Sequence, residues 1–172
     1  MRILLMLLFL IFTVPWQAIC AESRAADSPQ STIGRTFSTW EVFEADKCAS
    51  IWLIKRFVDP QAKFKFFPKG EPVSDGIPFD TPDAELRRFH NLAAFESILQ
   101  HYQIDDPVLH QIGEIIHDIE VNTWKKKRFA ETPVVEKEVN QIIQQSANNS
   151  ERLQRTLAYF DSLYKDLQKG MK

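Results

Sequence analysis

The stretch 46–60, D-K-C-A-S-I-W-L-I-K-R-F-V-D-P, limits what this chain can fold into more than any other segment. Asp46 is a capping residue type, and Cys48, Ile51, Trp52 and Phe57 recur at spacings that share one side of a helix. The segment ends in Asp59-Pro60, and a proline pushes the residue before it out of the α region. Together these features predict one helix, capped by Asp46, stopped at Asp59, with an apolar side in the core. Lys47, Lys55 and Arg56 place cations beside it.

Around this helix the periodicities change. Alternation over 37–43 fits a half-buried strand with Trp40 and Val42 on one face, 64–67 reads as a second strand, and 86–89 as a third. Three prolines and Gly76 between 72 and 82 leave 77–80 as at most a short edge segment. A helix is expected over 92–102, with Leu92, Phe95, Ile98, Leu99 and Tyr102 as its stripe. Asp106-Pro107 is a cap followed by proline at the first helical position. The helix it opens carries Val108, Leu109, Ile112, Ile115, Ile116 and Ile119 inward. Thr132-Pro133 repeats the device for a helix to Gln145, and Ser150 is expected to cap the last helix, striped by Leu153, Leu157, Phe160, Tyr164 and Leu167. The expected product is an α+β domain, mostly helical, with about five helices packed on a small early antiparallel sheet.

At the start of the chain, Arg2 precedes an apolar run over 3–14, then Pro15 and a small-residue stretch holding Ala18, Cys20 and Ala21. This reads as a secretory signal peptide over 1–21, because a run of that length falls short of the roughly 20 apolar residues a spanning helix needs. Residues 22–36 read as a flexible lead-in and 37–168 as a single domain. The expected location is periplasmic or secreted, with no stable membrane anchor after cleavage. Removing 21 of 172 residues takes away one cation and no acid, leaving 20 Lys and Arg against 23 Asp and Glu. That acidic balance offers no nucleic-acid surface, so no nucleic-acid partner is expected. The basic run 125–128 reads as a solvated loop. Cys48 would be the one remaining thiol and reads first as a small buried hydrophobe, with a functional thiol near a helix start as the other reading. The chain contains no Gly-rich phosphate loop, C-x-x-C, H-E-x-x-H or G-x-S-x-G, so it gives no independent support for a nucleotide cofactor or a hydrolase.

The 46–60 segment resembles the opening signature of the C-terminal domain of the chromate-resistance protein B family, D-R-x-A-C-P-W-L-I-R-R-F-I-D-P. Asp46, Ala49, Trp52, Leu53, Ile54, Arg56, Phe57, Asp59 and Pro60 match. Lys47, Lys55 and Val58 are close replacements, and the C-P pair is Ser50 and Ile51 here. The resemblance continues through Phe64, Phe66 to Pro68, Pro78-Phe79-Asp80, His90, Phe95-Glu96, Asp106-Pro107, Ile116-His117-Asp118 and Asp161-x-Leu163-Tyr164. It implies a role in chromate handling, as the sensing half of a regulator or as a separate exported protein, with no worked-out catalytic mechanism. The family's cysteine falls at Ser50, so its role does not transfer to Cys48.

The resemblance directs attention to His90 and His117. His90 precedes a helix start with Glu96 six residues on, and His117 is followed by Asp118. Imidazole and carboxylate together suit a divalent metal of intermediate softness. The expected metal-binding set is His90, Glu96, His117, Asp118 and Asp46, with the two histidines approaching each other. Arg56 and Lys47 are the expected anion-binding residues, suited to a dianion such as chromate near a helix start. His110, on the same side of its helix as His117, matches nothing in the family. The reading that results is a module binding or sensing a small inorganic ion, an oxyanion or a metal. The rival readings are a metal-dependent oxidoreductase and an interaction protein without a site.

Overall fold

The computed structural model describes residues 33–122 and 126–171. The leader expected over 1–21 and most of the lead-in lie outside the described residues. The chain is anchored before its first strand, where the amides of Gly34 and Arg35 donate to Asp59 Oδ1 and Oδ2 at 2.9 and 2.8 Å.

β1 (Thr36–Trp40) is the middle of a three-stranded sheet, flanked by β2 (Lys63–Phe67) and β3 (Ile77–Pro78). Both pairings are parallel, with Thr36 opposite Lys63 and Phe37 opposite Ile77. The antiparallel expectation is therefore overturned. Between β1 and β2 the chain makes α1 (Ala45–Leu53) and a π-helical turn (Ile54–Val58), and this crossover returns it to the starting end of β1. A middle strand covered on both faces also loses its alternation: Phe37, Ser38 and Thr39 are all buried. The strand stops at Trp40, so Val42 is exposed rather than on a shared face. Gly76 allows β3 to come in. Its φ is +79°, and a Cβ there would stand 2.6 Å from Ser38 Oγ and 2.8 Å from the Thr36 carbonyl oxygen. Residues 86–89 form no strand and contribute isolated bridges between Phe79 and Leu86 and between Phe89 and Leu92.

The remaining helices are α2 (Ala94–His101), α3 (Pro107–Glu120), α4 (Thr132–Gln145) and α5 (Asn149–Gly170), so five helices outweigh the sheet as expected. α3 starts as its sequence predicts, with Asp106 Oδ1 accepting from the Val108 and Leu109 amides at 2.8 and 3.0 Å. Two caps move. Asn148, not Ser150, accepts from the Glu151 amide at 3.0 Å, and Thr132 sits inside α4, its hydroxyl turned to Asp118.

The core is built on α1. Ile51, Trp52, Leu53 and Ile54 are fully buried, as are Phe95, Ile112 and Phe160 from α2, α3 and α5, each contributing about 1.5–3 kcal/mol of burial. Trp52 stacks on Phe160 at 5.6 Å and donates from Nε1 to Asp161 Oδ1 at 2.8 Å. The π turn closes with the Asp59 amide on the Ile54 carbonyl at 2.8 Å, and Asp59 itself is extended, as a residue before proline should be. The wider turn carries Phe57 partly to the surface, where its ring still packs on Trp52 and Tyr164. Cys48 is buried, and burial pushes its thiol up to about 12, so it behaves as a small core hydrophobe. No helix among the described residues is long and apolar enough to cross a membrane.

Candidate functional site

The polar centre of the molecule lies where α1, α2 and α3 meet. Helix α2 begins after Ala93, whose methyl side chain offers no acceptor to the free amides of the first turn. Asp46 supplies it from α1: Oδ2 accepts from the Ala94 amide at 2.7 Å and Oδ1 from the Phe95 amide at 2.9 Å. The expected cap of α1 is thus a cap of α2. α1 begins at Ala45, so Asp46 lies within its first turn and reaches sideways to the neighbouring helix. α1 has no side-chain cap at Glu44. Its Asp46 amide faces Glu120 Oε1 from α3 at 3.4 Å.

Glu96 completes the start of α2, its Oε2 accepting from the Ala93 amide at 2.7 Å and lying 2.8 Å from His117 Nδ1. A carboxylate oxygen that accepts from both sides requires the proton to sit on Nδ1. In the neutral imidazole Nε2 is then the lone-pair nitrogen, an orientation shared by metal-bound histidines with carboxylate partners. Both side chains are about three-quarters buried. The neighbouring groove between α2 and α3, about 700 Å³, is lined by Glu96, Gln100, Gln103, His110 and Glu114. Gly113 faces Glu96 Cγ and the Phe95 ring, where a Cβ would sit at 3.4–3.5 Å, so the helices approach closely here. Among the described residues, no three His, Cys, Asp or Glu side chains converge as a ready-made metal cage.

The other expected site residues go elsewhere. His90 is exposed in the tight turn between Phe89 and Leu92, and no hydrogen bond or ion pair of its side chain ties it to His117. Asp118 is fully buried and accepts from Asn122 Nδ2 at 2.6 Å, the Arg128 amide at 2.7 Å, the Thr132 hydroxyl at 2.8 Å and the Phe129 amide at 3.4 Å. Burial alone would raise its pKa, but these bonds outweigh burial and hold it below the usual carboxylate value. Its role is to fold the α3–α4 corner. Arg56 makes a bidentate pair with Asp161 at 2.9 and 2.8 Å, clamping the π turn to α5. Lys47 is buried, donating to the Trp40 and Val42 carbonyls at 2.9 and 2.6 Å, with Asp80 Oδ2 at 3.5 Å.

Four residues of the junction were absent from the sequence-based set. Arg88 Nη2 lies 3.1 Å from Glu44 and 3.2 Å from Glu120, and its Nε lies 3.4 Å from Asp46. Burial raises the pKa of Asp46 despite its two backbone bonds. It also raises Glu120, with help from the Glu44 charge. Asp80, held at φ +47°, is pushed up to about 7 by burial and then by the Asp46 charge. Asp80 stands in the matching Pro78-Phe79-Asp80 motif, the one signal that pointed toward this cluster. Glu44, Arg88 and Glu120 carried none, because the Arg88 contacts join residues 32 to 44 positions apart, and such contacts have no local period.

A family model described as ChrB, C-terminal domain, matches residues 37–167. Protein ChrB of Cupriavidus metallidurans is 30% identical over 95 residues, covering 54% of this chain and 29% of its own length. The match thus spans less than a third of that relative. No solved structure matches. With the family model covering the sheet and nearly all of the five helices, the chain belongs to the ChrB C-terminal-domain family.

Proposed function

We propose that this domain binds or senses a small inorganic ion in chromate resistance, and that the ion is a metal cation received at His117. The observation that carries this reading is the Ala93–Glu96–His117 chain of hydrogen bonds, which in the neutral imidazole leaves the Nε2 lone pair for a ligand; Glu96 of that pair also lines the α2–α3 groove. Local charge supports a cation over the chromate dianion. Asp46, Glu96 and Glu120 crowd the junction, and its cations Arg88 and Lys47 already serve carboxylates and carbonyls. A cation there completes its shell with water. Export belongs to the same proposal, supported by the leader-type sequence up to Ala21.

Calorimetric titration of the folded chain with zinc, manganese and chromate tests it. Zinc should bind, and His117→Ala and Glu96→Gln should weaken that binding by about tenfold or more. If both variants bind zinc as the parent does, or chromate alone binds, the His117 reading fails. Sustained turnover of chromate with an added reductant would replace binding by catalysis.

A further inference from the structure

On the other side of the α2 start, Glu44, Asp80, Thr81, Pro82, Arg87 and Arg88 line a second cavity of about 450 Å³. Three carboxylates, Glu44 and Asp46 at the start of α1 and Glu120 at the end of α3, converge on the Arg88 guanidinium. Asp80 is the fourth. Its side chain is 7% exposed, and Oδ2 accepts no hydrogen bond from any described residue. The cation nearest that oxygen, Lys47, already donates to two carbonyls and stands at 3.5 Å. With all four ionised, the carboxylates outnumber the charges of Arg88 and Lys47 by two. Burial makes an excess of that kind costly, and a divalent cation would offset it. Hard divalent cations of the magnesium class keep several waters and need only one or two protein carboxylates, so a converged cage is unnecessary.

We propose that the cavity between Glu44 and Asp80 is a second cation site, taking a hydrated divalent cation of the magnesium or manganese type, with Arg88 competing for the same carboxylates. Arg88 is about a third exposed on a segment without regular secondary structure, so its side chain can swing aside without disturbing a helix. The site shares no side chain with the His117–Glu96 pair, and either can fail alone.

The test is a manganese titration of the folded full chain at about pH 8, with free ion followed by its paramagnetic resonance signal. One site should be found. Glu44→Gln should weaken it about tenfold, Asp80→Asn should do the same, Arg88→Met should tighten it several-fold, and His117→Ala should leave it unchanged. Glu44 is on the surface, so its variant reports even if Asp80→Asn folds poorly. Absence of manganese binding in both the parent and Arg88→Met overturns the proposal. Unchanged binding in Glu44→Gln, or loss of binding in His117→Ala, also overturns it.

Discussion

Asp46 and Asp118 are both fully buried carboxylates, and the domain treats them in opposite ways. At the α3–α4 corner, Asp118 accepts four hydrogen bonds, and these overcome the burial that would otherwise raise its pKa. At the α1–α2 junction, Asp46 has two short backbone bonds, but burial prevails and its pKa rises, with Glu44 close by. Burial is common to both, and each has four donors, so what separates them is how close those donors come and how many like charges stand around the group. The corner reads as structure completed by a carboxylate. The junction carries more acid than its cations neutralise, a state more often found where a ligand or proton acts.

The largest expected effect breaks the corner. Asp118→Ala strips partners from the Arg128 amide, the Thr132 hydroxyl and the Asn122 amide, and should cost about 3–5 kcal/mol in chemical denaturation. A cost near zero would mean that water replaces the carboxylate and that the two regions differ less than their contacts indicate.

The pH dependence of stability is the next test. The folded-state pKa of Asp80 lies at about 7, above its ordinary value of 3.8, so between those two values the folded protein holds a proton that the unfolded chain has released. Stability from that group is present below about pH 4 and falls as pH rises to 7, by on the order of 2–4 kcal/mol. Asp46 and Glu120, also raised, act in the same direction. Asp59, Asp118 and Asp161 are lowered, so their contribution is present above about pH 4 and is lost as pH falls below it. The denaturation midpoint should therefore be higher near pH 5 than near pH 8, and Asp80→Asn should flatten the slope. A midpoint that climbs from pH 5 to 8 in the parent would remove the charge excess on which the contrast rests.

Asp46→Ala is expected to be milder than Asp118→Ala, about 0.5–2 kcal/mol, because losing the α2 cap is partly offset by relief of repulsion among the acids. If it proves as damaging as the corner variant, the junction is structural in the same sense as the corner.

Local signals foretold local structure well. Asp106-Pro107 starts a helix because the cap and proline act on their own turn, and Asp59-Pro60 ends one for an equally short-range reason. The sheet was misjudged at the same scale. Alternation over 37–43 suggests a strand with one open face, whereas the crossover through α1 makes β1 a covered middle strand in a parallel sheet. Of the expected site residues, Glu96 and His117 meet, and Asp46 caps the same helix start. Asp118 and Arg56 are bound in structural pairs, and His90 stands exposed.

The sequence by itself determined the five helical segments and the family, since each rests on residues near one another in the chain or on their order along it. Strand direction, the transfer of Asp46 from its own helix to α2, and the gathering of Glu44, Asp80, Arg88 and Glu120 were decided only by the tertiary structure. Packing sets which charges become neighbours, and burial then amplifies their interaction. Neither leaves a periodic trace in the sequence.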